Sequence, residues 1–183
     1  MQTQFPLFHE MSAPDGNRKP YVDERHGYLV YKVPKEIFTE WKDFGFGSYD
    51  KGLVWLVDTT EPFLDLEEWE GLDGTEIEIV RLSFSDFYLW KVDSIIHLNV
   101  YTKKIRKMFG TFEDLFDSGF VSKDYRKNVL WEPLHKKAIK KLGLLSEDEC
   151  YGFAPLPTLG GDYKQEYLIK TNIREYLAFL AQV

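Results

Sequence analysis

The stretch TEIEIVRLSFSDFYLWKVDSIIHLNVYTKKIRKM, residues 75–108, decides the fold. Within it Ile96, Leu98 and Val100 alternate with His97 and Asn99, the period of a half-buried antiparallel strand. Residues 75–84, 87–92, 95–101 and 103–108 read as successive strands, with Asp93-Ser94 as a tight link. Asp73-Gly74 marks the turn at which the upstream pattern gives way to this extended run.

Upstream, residues 1–27 are polar, carry Pro6, Pro14 and Pro20, and read as loop, with Phe5, Leu7 and Phe8 as docking points. Residues 28–33 read as a short strand. Pro34 then suits the first position of a helix, because its missing N–H has no partner to lose there. Ile37, Trp41 and Phe44 recur at helical spacing, and Gly45 is a natural stop. A turn over residues 45–52 feeds a strand at 53–57, and Pro62 opens a short helix to about Trp69.

Downstream the pattern becomes helical. Thr111 with Asp114 reads as a capping pair sending Phe112, Leu115 and Phe116 inward. Ser122 starts a further helix. Trp131, Leu134, Ala138 and Leu142 share one helix face, which Gly143 ends, and Lys136, Lys137, Lys140 and Lys141 lie largely opposite. Residues 151–163 form a Gly/Pro-rich segment ordered by packing of Tyr151, Phe153 and Leu156. Asn172 caps a last helix, with Ile173, Tyr176, Leu177 and Leu180 on one stripe. The expected class is α+β: a central antiparallel sheet with helices packed on it, a compact globule of two parts, 1–109 and 110–183. Trp90, Trp131 and the final helix are candidates for one shared core.

Composition bounds the function. The 183 residues include 23 basic and 30 acidic ones, a net charge of −7. A hydrophobic content of 44% excludes a chain disordered by composition. No apolar run approaches the ~18 residues of a membrane span, and residues 1–10 lack the pattern of a signal peptide. The one cysteine, Cys150, excludes an internal disulfide framework and a cysteine-built zinc site. A reducing cytoplasm is the expected location. A net acidic chain is a poor general binder of nucleic acid, whose phosphates need Lys and Arg, and it suits a basic partner. The charge is also segregated. Residues 52–80 carry only acidic charges, whereas 101–141 are rich in Lys and Arg.

Catalytic chemistry finds little support. His9, His26, His97 and His135 lie far apart, without metal-ligand spacing. There is no Gly-x-Ser-x-Gly elbow. Glu147, Asp148 and Glu149 precede Cys150 and oppose a thiolate. Gly45-x-Gly47 follows a helix and precedes a strand, the reverse of a dinucleotide fingerprint. Gly160-Gly161 reads as a chain turn, with an anion site as the alternative. No catalytic residue, metal or cofactor is expected. The acidic run reads either as a solvated face or as a surface for a cationic partner. On the second reading the contact residues are Asp58, Glu61, Asp65, Glu67, Glu68 and Glu70, with Trp69 as anchor. Lys103, Lys104, Arg106 and Lys107 read as edge-strand protection, with nucleic-acid contact as the alternative.

Two segments carry a resemblance. EWKDFGFGSYDKGLVWLV, residues 40–57, resembles the signature of the GAD-like domain. ECYGFAPLPTLGG, residues 149–161, with REYLAFLAQ, residues 174–182, resembles the C-terminal domain of type VI secretion DNase immunity proteins. The pattern departs at Ser85, where glycine is expected, and at Tyr176, where histidine is commoner. The resemblance implies a non-catalytic immunity protein that binds and neutralises a toxin, typically a DNase with a basic cleft. It places the quoted glycines and aromatics in the fold rather than in the contact.

Overall fold

The structure, a computed structural model, describes residues 3–183. Its centre is an antiparallel sheet of six strands in sequence order: β1 (Gly47–Tyr49), β2 (Val54–Leu56), β3 (Ile77–Leu82), β4 (Phe87–Lys91), β5 (Ser94–Asn99) and β6 (Lys104–Lys107). Tight links hold the register from β3 onward. Ser85 turns β3 into β4 at φ +70, the left-handed region that favours glycine, which accounts for the glycine expected there. Asn99 accepts from the backbone N–H and the hydroxyl of Thr102 and so turns β5 into β6.

Antiparallel sheets often leave one face wet; this one is covered on both. On the first face Ile37, Trp41, Val80, Tyr88, Phe112 and Phe116 are buried together with Phe5 and Phe8. On the second, Trp69, Phe87, Leu89 and Leu98 meet Tyr151, Phe153, Ile173 and Leu177. Strict alternation therefore fails in β3, where a bulge at residues 78–80 lets both Ile79 and Val80 be buried.

The elements covering the first face come from both ends of the chain. A helix at Lys35–Phe44 buries Ile37 and Trp41 and ends at Gly45. A Cβ on Gly45 would stand 2.3 Å from the Lys19 carbonyl oxygen, and φ is +69 there. The expected loop at the N-terminus contains a helix, Pro6–Met11. Phe8 and the preceding Phe5 are buried, whereas Leu7 faces solvent. Phe5 stacks on Phe116 at 4.3 Å between ring centres. The Thr111–Asp114 capping box forms as expected, followed by a π-helical turn at Leu115–Phe120 and a helix at Lys123–Asn128.

The second face is covered by a helix at Glu132–Leu142, a hairpin of β7 (Glu149–Phe153) and β8 (Leu168–Asn172), and the last helix, Ile173–Gln182. Trp90 therefore packs on the first face, while Trp131 and the last helix lie on the second, so the three share no single core. Buried Arg81 of β3 ties the hairpin down. It donates to the carbonyls of Glu147 at 2.7 Å and Glu149 at 3.3 Å, and its guanidinium lies 4.0 Å from the Trp55 ring centre.

Two local expectations are corrected. Residues 28–33 are not a strand; Gly27–Tyr31 is a 3₁₀ helix. His26, Leu29, Val33 and Ile37 are buried at three- and four-residue intervals, a helical stripe that leaves Tyr28, Val30 and Tyr31 exposed. Nor do residues 62–69 form a full helix; only Leu66–Glu68 makes a 3₁₀ turn. The N–H groups of Phe63 and Leu64 instead donate to the buried Glu78 carboxylate, at 3.0 and 2.7 Å.

Candidate functional site

The acidic run divides into inward and outward members. Asp58, only 5% exposed, accepts from the N–H and hydroxyl of Thr60 and lies 3.3 Å from His26 Nε2. Glu76 accepts from the N–H groups of Asp73 and Gly74 and from Lys91 at 2.8 Å. Glu78 holds Phe63 and Leu64 as described, and burial pushes its carboxyl up to about 7 against the pull of those amides. Trp69 is 3% exposed and belongs to the core of the second face. Asp58 and Trp69 are thus removed from the expected contact surface. They shape the loop from within.

The outward members are Glu61, Asp65, Glu67, Glu68 and Glu70. Glu61 is held by Arg25 at 2.7 Å and Lys19 at 2.8 Å, which draw its carboxyl down to about 2. Among the described residues, Asp65, Glu67, Glu68 and Glu70 form no ion pair. Asp65 and Glu67 edge a groove of about 620 Å³, whose other walls include Tyr28, Lys32, Glu78 and Arg174.

Arg174 is the residue that the charge pattern misses. From the first turn of the last helix it donates to the carbonyls of Pro62 and Glu61, and its guanidinium lies 4.8 Å from the Phe63 ring centre. The far end of the chain thereby clamps the acidic loop. Only its place in the REYLAFLAQ segment marks Arg174 in the sequence.

The other candidates separate. His9 bonds Glu40 at 2.8 Å, and His97 bonds Asp86 at 3.2 Å. Burial pushes His135 down to about 4. Among the described residues no group of three or more His, Cys, Asp or Glu is placed to hold a metal. The buried Cys150 thiol is pushed up to about 11 by desolvation, the opposite of nucleophilic activation. A Cβ on Gly161 would meet the Pro155 carbonyl oxygen at 1.9 Å, so this glycine serves close approach of the chain to itself. In the basic run, Lys103 donates to the Ala181 carbonyl, and Lys141 to the carbonyls of Gln165, Glu166 and Leu168. Lys104 and Arg106 face a cleft of about 230 Å³ beside Trp131.

The fold and these contacts frame the comparisons with known proteins. The family model described as T6SS immunity protein Tdi1, C-terminal, matches residues 112–183. Over these residues the chain is similar to the Tdi1 C-terminal family. The Tdi1-type segment supplies the last helix, the β7–β8 hairpin and Arg174. Its glycines are explained by packing. Gly152 lies under the Tyr176 ring, which a Cβ would meet at 2.5 Å, and the Tyr176 hydroxyl accepts from the Phe153 N–H at 2.9 Å. Among solved structures the chain is similar to the crystal structure of Atu4351 from Agrobacterium tumefaciens. That likeness covers 98% of this chain and 89% of the other, with a TM-score of 0.75 and 13% identity, and it speaks for the fold. No curated protein matches the chain. Among the described residues no helix is long and apolar enough to cross a membrane.

Proposed function

We propose that the chain is an immunity protein that binds and neutralises a cognate type VI secretion toxin, a DNase, in the cytoplasm of the cell that makes both. The Tdi1-type segment carries this reading. Residues 1–109 form the GAD-like part, which holds the six-stranded sheet, and residues 110–183 the immunity part, which packs on both its faces. No catalysis is assigned to the chain.

The acidic groove supports a basic partner. A nuclease cleft must be cationic to hold DNA. Asp65 and Glu67 edge a groove whose shape Glu78 and Arg174 hold in place, and Glu68 and Glu70 add exposed carboxylates from the same run. Such a field speeds association with a cationic surface and favours it over neutral ones. A second reading, a nucleic-acid-binding module, rests on Lys104 and Arg106 beside Trp131.

Co-expression separates the two. A nuclease encoded beside this chain should kill a host unless the chain is present, and the purified pair should form a stable complex. Failure to protect, together with binding of DNA or RNA by the chain alone with a steep salt dependence, would reverse the choice.

A further inference from the structure

Three large apolar side chains stand almost wholly in solvent: Tyr31 at 91%, Val92 at 87% and Phe109 at 98% exposed. Single exposed apolar residues need no explanation, but a cluster does. Tyr31 and Val92 line one cleft of about 280 Å³, and Phe109 adjoins Gly110, which lines it too. Trp90 and Phe112, with ring centres 5.9 Å apart, give that cleft an aromatic wall. Protein interfaces draw most of their binding energy from pockets of this kind, where an aromatic or aliphatic anchor loses its water.

Val92 adds an independent signal. It is the first residue of the two-residue link between Lys91 and Ser94, and its φ is +56. A hairpin link with a left-handed first residue calls for glycine. A β-branched residue there is a conformational outlier. The valine thus strains the backbone and also holds an apolar side chain in water. Neither contributes to the isolated fold. Both are offset when a partner covers the side chain.

The cleft neighbours the acidic groove, with Lys32 lining both. An apolar centre with a charged margin is the usual anatomy of an interface. The margin also selects the occupant. Two copies docked through this end would bring the free carboxylates of one against those of the other, and such like-charge contact opposes association.

We propose that Tyr31, Val92 and Phe109 form the apolar centre of the toxin interface, with Asp65 and Glu67 meeting the cationic face of the same partner. This rests on the immunity reading and adds where the toxin sits and what anchors it.

Titration calorimetry of the full chain against the nuclease encoded beside it, paired with thermal unfolding of each variant alone, tests the proposal. Tyr31→Ser with Phe109→Ser should weaken binding by about 30-fold, the scale of an interface hot spot, with no loss of melting temperature. Val92→Gly should weaken binding by about tenfold and raise the melting temperature, because it relieves the strain while deleting the contact. A residue with a merely structural role does not give these opposite signs. Unchanged affinity in all variants would overturn the patch and leave the immunity reading standing. No binding by the unaltered chain would overturn both. A dimer of the chain alone, dissolved by these substitutions, would reassign the patch to self-association.

Discussion

The acidic run at residues 58–78 and the basic run at 101–141 are opposite in sign, yet both split into members that build the fold and members that face water. They differ in how the inward charges are held. Glu76 and Glu78 take backbone N–H groups of their own loop. Buried Arg126 reaches across the chain, donating to Asp50, to Glu132 at 2.9 Å, to the Ser12 hydroxyl and to the Phe120 carbonyl. A carboxylate is a compact acceptor that organises nearby amides, whereas a guanidinium has five donors on a planar fork and gathers distant acceptors. Inward acids therefore fix local loop shape, and the inward arginine fixes long-range assembly. The field of either run is what remains after these are subtracted.

The sharpest break of this contrast is Arg126→Ala. It leaves Asp50 without its cation and Glu132 with Lys136 alone. Both carboxylates are partly exposed, so the cost comes mainly from the lost hydrogen bonds of the buried guanidinium, about 3 kcal/mol. Chemical denaturation should show that loss, together with release of the N-terminal helix, since Ser12 is one of the acceptors. A loss under 1 kcal/mol would remove Arg126 from its assembling role.

Next in size is Glu78→Ala, which leaves the N–H groups of Phe63 and Leu64 without their acceptor. The expected cost is about 2 kcal/mol, with faster amide exchange confined to the loop around residues 61–69. Glu78 also has a pH signature. Its ordinary value is 4.5, and burial raises it to about 7, so between those limits the folded chain binds more protons than the unfolded one. Its contribution is full below 4.5 and is lost as pH rises through 7. His135 runs the other way. Desolvation lowers it from 6.5 to about 4, so its contribution is full above 6.5 and is lost as pH falls through 4. The two oppose each other between 4.5 and 6.5. Unfolding across that window should show Glu78→Gln losing stability as pH falls, relative to the unaltered chain, and His135→Phe losing it as pH rises.

The sheet was legible because its strands β3–β6 are consecutive and joined by short turns, so local pattern and tertiary pairing coincide. The β7–β8 hairpin was not, because Gly152 sits in a strand whose partner begins beyond a long loop, and what it accommodates is the Tyr176 ring. The 3₁₀ helix at Gly27–Tyr31 is masked in the sequence because Tyr28, Val30 and Tyr31 are strand-favouring residues, although their apolar surface faces outward. That same outward surface belongs to the candidate interface. Charge pattern found the acidic loop but not the direction of each carboxylate. Direction depends on which N–H groups the loop leaves unpaired, and that is a property of the folded chain.

The smallest effect on stability is expected from the outward charges, which are also the ones assigned to binding. Reversing Glu67, Glu68 and Glu70 to Lys should shift unfolding free energy by only about 0.5 kcal/mol, because no ion pair or buried contact is lost. The toxin complex should respond much more. Steering depends on the summed field, so the association rate should fall by about tenfold or more at low salt, and the deficit should shrink as salt screens both proteins. Lys104→Ala with Arg106→Ala is the counterpart on the basic side and should leave that rate unchanged. Stopped-flow association at two ionic strengths reads both variants. A rate that rises for the basic pair as it falls for the acidic triple would mean that the partner sees net charge rather than a surface. An effect from the basic pair alone would move the interface to the β6 edge.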